Sequence, residues 1–258
     1  MKPGNEKTRR VFDVHQVEEL LRNSSPDSAL RGLIISKHSF IPGTSISIRI
    51  RWHKPVYVHF QRCVALIDDL LLGNLRFRES DFTPNIDYYK ELAGGQHPST
   101  LWIACSDSRL QSGHITQARA GELFIQRNIG NIVPIHDWNF ATVLEYAVVH
   151  LKVKDVVVCG HSKCGAIRAL DQDSNDSYIP LWLNNAREAK ERVDSKIEMP
   201  HTVLEQEERY RLIEQENVRL QIEHLHSYPL LKKAVEENRV AVHGLYYDLG
   251  TGILSRVS

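Results

Sequence analysis

Apolar positions along this chain fall into two regimes. Phe60, Val64, Ile67, Leu70, Leu71 and Leu75 recur at helical spacing, which predicts an amphipathic helix to about Arg78. A second short helix is expected over Asn85–Ala93, stopped by Gly94-Gly95. From there the pattern changes to short apolar runs: Thr100–Ala104, Leu123–Gln126, Asp155–Cys159 and Val240–Tyr246. None alternates cleanly, as expected for strands covered on both faces. Helical stretches separate them: Phe140–Leu151, Ala166–Asp171, Leu181–Val193, Val203–His226 and, after Pro229, Leu230–Asn238. Within the longest, Glu205–Arg219 is dense in charge and reads as a solvated amphipathic helix with Leu212, Ile213 and Leu220 on one stripe. Strands alternating with helices give an α/β fold with a mostly parallel sheet flanked by helices.

Residues 1–55 stand apart, with ten Lys/Arg against five Asp/Glu and Ser-rich stretches at 23–28 and 36–47. They read as an N-terminal extension and a candidate for disorder, followed by a single α/β domain over 56–258. The alternation from Ser45 to Trp52 suits a strand, but one without an evident partner.

Composition narrows the function. Thirty-two basic residues balance 32 acidic ones, so no net field draws the chain to nucleic acid or anionic lipid. No apolar run reaches the roughly 18–20 residues of a membrane span, and no secretory h-region is visible. A cytoplasmic enzyme without a membrane or nucleic-acid partner is the expectation. The four cysteines are too few and too unevenly spaced for a disulfide scaffold. Cys63 and Cys159 read as small buried hydrophobes.

Cys105 and Cys164 read differently. Ala104-Cys105-Ser106-Asp107-Ser108-Arg109 and Cys159-Gly160-His161-Ser162-Lys163-Cys164-Gly165 both begin where an apolar run ends. Strand C-terminal ends face a common crevice in an open α/β sheet. Cys105, His161 and Cys164 can therefore converge, although 56 residues separate the first two. Two thiolates and an imidazole favour Zn²⁺ and leave a fourth tetrahedral position open. Asp107 lies close enough to ligate the metal or accept a hydrogen bond from water there. Arg109 can hold it by a bidentate fork.

The segments C-S-D-S-R, G-E-L-F-I-Q-R-N-I-G-N, L-E-Y-A-V-x-H-L-K-V and C-G-H-S-K-C-G-A, in that order, resemble the β-class carbonic anhydrase family. The resemblance runs from about residue 60 to the C-terminus. It implies zinc, one ion per subunit, on Cys105, His161 and Cys164, with an Asp107–Arg109 dyad. It implies reversible hydration of CO2 to bicarbonate and a proton by zinc-bound hydroxide. Gln96 would hydrogen-bond substrate, and Phe124, Ile129, Tyr146 and Gly165 would line the CO2 pocket. Trp102, Arg127 and Tyr247 match the bicarbonate pocket of a subgroup called type II, in which Asp107 takes the fourth zinc position when bicarbonate or acid inhibits the enzyme. The same resemblance implies an N-terminal helical arm and a homodimer or homotetramer. Two alternatives keep the same ligands: a CS2 or COS hydrolase, and a non-catalytic bicarbonate sensor. His114 is a proton-acceptor candidate by sequence proximity alone, and His224 and His226 read as a surface helix end.

Overall fold

The computed structural model describes residues 46–51, 55–60 and 66–257 except 174. Most of the N-terminal extension, and Cys63, lie outside the described residues. The chain divides into two compact units, the first ending at Ile86 and the second starting at Asp87.

In the first unit, β1 (Ile46–Arg51) pairs antiparallel with β2 (Pro55–Phe60). The register joins Ile46 to Phe60, Ile48 to Val58 and Ile50 to Val56, so alternate apolar positions meet across the ladder. The strand expected to be alone thus has a partner. That partner contains Phe60, which the spacing places in the helix; the helix is described from Leu66, and Val64 lies outside the described residues. Val56, Val58 and Phe60 alternate with Tyr57 and His59, a period-two pattern of strand-forming residues that prevails over the 3.6 period. Helix α1 (Leu66–Phe77) runs on into a π-helical turn at Arg78–Phe82 and exposes Ile67, Leu70, Leu71 and Leu75.

The second unit opens within helix α2 (Ile86–Gly94). Its sheet has the order β4-β3-β5-β6-β7. Strands β3 (Thr100–Cys105), β4 (Leu123–Asn128), β5 (Asp155–His161) and β6 (Ala241–Tyr247) are parallel, and β7 (Leu254–Arg256) returns antiparallel to β6. The four longer strands match the expected runs to within two residues at their ends. At three residues, β7 is too short to leave a periodic signal. Around the sheet lie α3 (Ser112–Thr116), a 3-10 turn (Ile129–Asn131) and α4 (Trp138–Glu145), which continues into a π-helical turn (Tyr146–Leu151). Then come α5 (Gly165–Ala169), α6 (Ile179–Asp194), α7 (Val203–His226) and α8 (Pro229–Glu236).

Both sheet faces are buried, which is why the strand runs do not alternate. Leu101, Ile103, Val156 and Val158 pack with Phe140, Leu144, Val218, Leu225 and Leu231. Trp102, Ala104, Val157 and Cys159 form a second cluster with Leu245, Tyr247 and Leu254. From β3 the chain goes to β4 on one side and later to β5 on the other. The C-terminal ends of β3 and β5 therefore flank a topological switch point, where α/β sheets bind ligands.

Helix α7 buries the expected Ile213 and Leu220 of its stripe, but it is far less solvated than its charge suggests, because polar positions are buried too. A Thr202–Glu205 capping box starts it, and Arg209, Ile213, Glu214, Asn217, Val218, Leu220, Gln221 and Leu225 are buried along it. It lies so close to β5 that a Cβ on Gly160 would fall 2.6 Å from Val218 Cγ2. Arg209 is only 2% exposed and binds Asp194 at 2.6 Å and Asp171 at 3.1 Å. Those hydrogen bonds hold the Asp194 carboxyl below its ordinary range. At Asp171 burial pushes the carboxyl up, but Arg209 outweighs it. Arg209→Met leaves the two carboxylates with Lys190 as their remaining cation, at 2.9 Å from Asp194 and 3.5 Å from Asp171, and is expected to cost about 3 kcal/mol at pH 7, read as a lower urea midpoint. Both pKa values are depressed in the folded state. The contribution is therefore complete above the ordinary carboxylate value of about 4 and lost as pH falls below it. The gap between wild type and variant should close in acid. Among the described residues, no helix is long and apolar enough to cross a membrane.

Candidate metal centre

Cys105 is the last residue of β3, His161 the last of β5, and Cys164 the residue before α5. Their donor atoms lie within 4.8 Å of one another, and all three side chains are buried. Two features of the chain fit a cation there. His161 Nδ1 lies 2.9 Å from the Ser162 carbonyl, to which it donates, leaving Nε2 as the lone-pair nitrogen. That buried Nε2 has no protein partner among the described residues. One of the two sulfurs is also poised to ionise. A hydrogen bond from the Cys164 thiol, opposed by burial, draws the Cys105 thiol down to about 4, and the Gly130 N–H adds to this from 3.4 Å. Cys164 moves up in return, because its proton serves Cys105. A metal held there would take the place of that proton, with both sulfurs as thiolate ligands. Cys159, by contrast, is pushed up to about 12 by burial alone and packs as a hydrophobe.

The Asp107–Arg109 pair forms beside this trio. Arg109 Nε donates to Asp107 Oδ1 at 2.9 Å and Nη2 to Oδ2 at 2.6 Å, while the Arg109 amide also donates to Oδ1. These bonds hold the Asp107 carboxyl well below the usual carboxylate range. The same Nη2 reaches the Lys163 carbonyl at 3.1 Å, so Arg109 ties the loop after β3 to the loop after β5. Asp107 Oδ2 sits 4.0 Å from His161 Nε2.

A carbonic anhydrase family model matches residues 100–254. The chain is 36% identical over 190 residues to a carbonic anhydrase of Pseudomonas aeruginosa, spanning 71% of this chain and 84% of that protein. The chain belongs to the β-carbonic anhydrase family. A carbonic anhydrase of Synechocystis is 34% identical over 190 residues, covering 71% of this chain and 68% of that one. Among solved structures, a tetrameric β-carbonic anhydrase of Sordaria macrospora matches with a TM-score of 0.70 at 34% identity, covering 75% of this chain and 97% of its own. The Coccomyxa β-carbonic anhydrase in complex with acetazolamide matches at 0.69 and 30% identity, over 75% and 87%.

In this carbonic anhydrase the remaining expected residues are split between the two ends of the sheet. Ile129 follows β4, and Gly165 follows Cys164; both are at the metal end. Gln96 precedes β3, whose length puts about 16 Å between its first residue and Cys105. Phe124 pairs with Leu101, four residues up the strand from Cys105, and its ring lies 5.8 Å from that of Tyr146. Within one chain, then, Gln96, Phe124 and Tyr146 are not brought to the metal trio. Trp102 and Tyr247 share the cluster that contains Cys159, and the buried Trp102 Nε1 has no protein acceptor among the described residues. Arg127 lies opposite Ala104 in the ladder, but its Nε and one Nη donate to the Cys105 and Asp107 carbonyls at 2.9 and 2.7 Å. It thereby clamps the turn that carries the dyad.

His114 is exposed on α3. His224 is half-buried rather than at the surface, its Nδ1 3.1 Å from the Val133 carbonyl and from Gln221 Oε1. The main omission of sequence reasoning is polar and lies on α7. Glu214, Asn217 and Gln221 follow one another at helical spacing, yet in a segment rich in Glu and Arg they look like surface residues.

Proposed function

We propose that this carbonic anhydrase reversibly hydrates CO2 to bicarbonate and a proton, using a zinc ion held by Cys105, His161 and Cys164. One observation carries the reading: three buried soft donors converge on one point while an ionised carboxylate, fixed by an arginine, stands 4.0 Å from the imidazole donor. When bound, zinc supplies a Lewis acid that brings the pKa of water from about 15.7 toward 7. Asp107 has two oxygens and no proton, so it accepts a hydrogen bond from the attacking water and aims its lone pair. Arg109 keeps that carboxylate ionised and stationary. Arg127 fixes the backbone under both through the Cys105 and Asp107 carbonyls. Stopped-flow CO2 hydration by zinc-loaded protein, lost on chelation and restored by zinc, tests the proposal; turnover indifferent to chelation would overturn it.

Substrate contacts are proposed to come partly from a second copy. Gln96 and Tyr146 are exposed at the opposite sheet end, and Val149, in the same π-helical turn as Tyr146, is an exposed apolar residue. A patch of this kind marks an interface, and a solved relative is tetrameric. Joining two copies there would give a metal site the amide and aromatic groups that its own chain holds elsewhere.

Bicarbonate inhibition is the third part of the proposal. Its support is the buried Trp102 N–H without a protein acceptor, placed in one cluster with Tyr247. An unsatisfied buried donor is costly, and an anion oxygen would satisfy it. Asp107 would have to give up both prongs of Arg109 to close the site. Trp102→Phe deletes the donor and keeps most of the ring volume. Losing a hydrogen bond to a charged group costs about 1.5–3 kcal/mol. The inhibitory bicarbonate concentration should therefore rise at least about tenfold, with turnover at low bicarbonate little changed. An unaltered inhibition curve would remove this part.

A further inference from the structure

We infer that the buried polar face of α7 is the outer frame of the metal site: Glu214 and Asn217, one turn apart, set the positions of the two sulfur ligands, Cys164 and Cys105. The inference rests on the zinc reading above and adds to it two positioning residues that touch neither the metal nor the substrate.

Glu214 is 3% exposed, and each of its oxygens has a separate partner. Oε1 accepts the Cys164 N–H at 2.9 Å, and Oε2 accepts the Tyr246 hydroxyl at 2.6 Å. The first bond fixes the backbone from which the Cys164 sulfur projects. The second fixes the carboxylate against β6.

Asn217 is 1% exposed and reaches the other sulfur through one intermediate residue. Its Nδ2 donates to the Gly130 carbonyl at 3.0 Å, and the Gly130 N–H donates to Cys105 Sγ at 3.4 Å. Gly130 adopts φ +80°, and a Cβ there would stand 3.0 Å from Ala166 Cβ. Only glycine lets this turn both point its N–H at the sulfur and press against the start of α5, just past Cys164. Gln221, 0% exposed, completes the frame. It donates to Asn217 Oδ1 at 2.9 Å and to the Asn185 carbonyl at 3.0 Å, and accepts the Val133 N–H at 2.7 Å.

Filling space would not require these groups. Apolar residues of similar size would pack against β5 without the cost of burying an amide or a carboxylate. What the polar groups add is direction, because Glu214 and Asn217 each end on the backbone of a turn that carries or contacts a ligand, and Gln221 holds Asn217 in place. Outer hydrogen bonds of this sort orient metal ligands, and losing one typically weakens metal binding about 10–100-fold.

The test measures zinc dissociation constants of the full chain by competition with a chromophoric chelator, together with cadmium–thiolate absorption and thermal unfolding. Glu214→Ala and Asn217→Leu are each expected to weaken zinc about 10–100-fold and to alter the cadmium–thiolate band. Arg209→Met, on the same helix but bonded to Asp171 and Asp194, should lower the melting temperature and leave zinc affinity within about threefold of wild type. That control separates positioning from general loosening of α7. Should Glu214→Ala not fold, Tyr246→Phe removes a single oxygen and should weaken zinc several-fold. Wild-type affinity in the variants that fold would overturn the inference, as would an equal loss in Arg209→Met. A wild-type protein with no zinc affinity would instead overturn the zinc reading itself.

Discussion

Cys105→Ala is expected to yield a folded protein that holds less than about a tenth of a zinc per chain and hydrates CO2 at least ~10³-fold more slowly. The size follows from the geometry. Losing a group that merely orients a ligand costs about 10–100-fold, and this substitution removes the ligand itself. What remains is His161 and Cys164, one on each side of a short loop, with no donor from β3. Alanine suits the test because Cys105 is only 5% exposed and a polar replacement would bury a new hydrogen-bonding group. Gly130 would lose the acceptor of its N–H, so a modest fall in melting temperature should accompany the activity loss. Metal content by mass spectrometry and stopped-flow hydration read the two effects separately. Full activity at wild-type zinc content would show that Cys105 is not a ligand.

Asp107→Asn should give the second largest effect, with the opposite pattern in the metal. Asparagine keeps the shape but loses the charge, one acceptor oxygen and the bidentate pairing with Arg109 seen at 2.6 and 2.9 Å. Removing one preorganised polar group from a developing charge costs about 10²–10³ in kcat, and a loss in that range is expected with zinc content unchanged. Because Arg109 holds the Asp107 carboxyl well below the ordinary range, the carboxylate is already ionised across the working pH. A basic limb in the pH–rate profile should thus come from water at the site, and the variant should keep the position of that limb while losing its height. A variant with lower thermal stability but wild-type kcat would make Asp107 structural.

The sequence is most informative where chemistry and strand ends coincide. Cys105 and His161 each close an apolar run, and parallel pairing of β3 with β5 is enough to bring them together; the spacing of Cys164 then follows from a three-residue step to the start of α5. Asp107 and Arg109 are legible for the same reason, since the interaction is local. Elements whose role depends on distant partners are harder to read. The β1–β2 hairpin is hidden because Phe60 fits both a two-residue and a 3.6-residue period. On α7, Glu214 and Asn217 are indistinguishable by type from the solvated Glu and Gln around them, and only burial against β5 and the 3-10 turn separates them. Gln96, Phe124 and Tyr146 carry family-like signatures but lie at the other end of the sheet, because neighbours in a motif need not be neighbours of the metal in one chain.

The central claim is that two sulfurs and one imidazole nitrogen share a single zinc. X-ray absorption at the zinc edge of the full-length protein tests it most directly. The account predicts about one zinc per chain, two sulfur scatterers near 2.3 Å and nitrogen or oxygen scatterers at about 2.0–2.1 Å. A zinc-loaded, active protein whose spectrum contains no sulfur shell would contradict it.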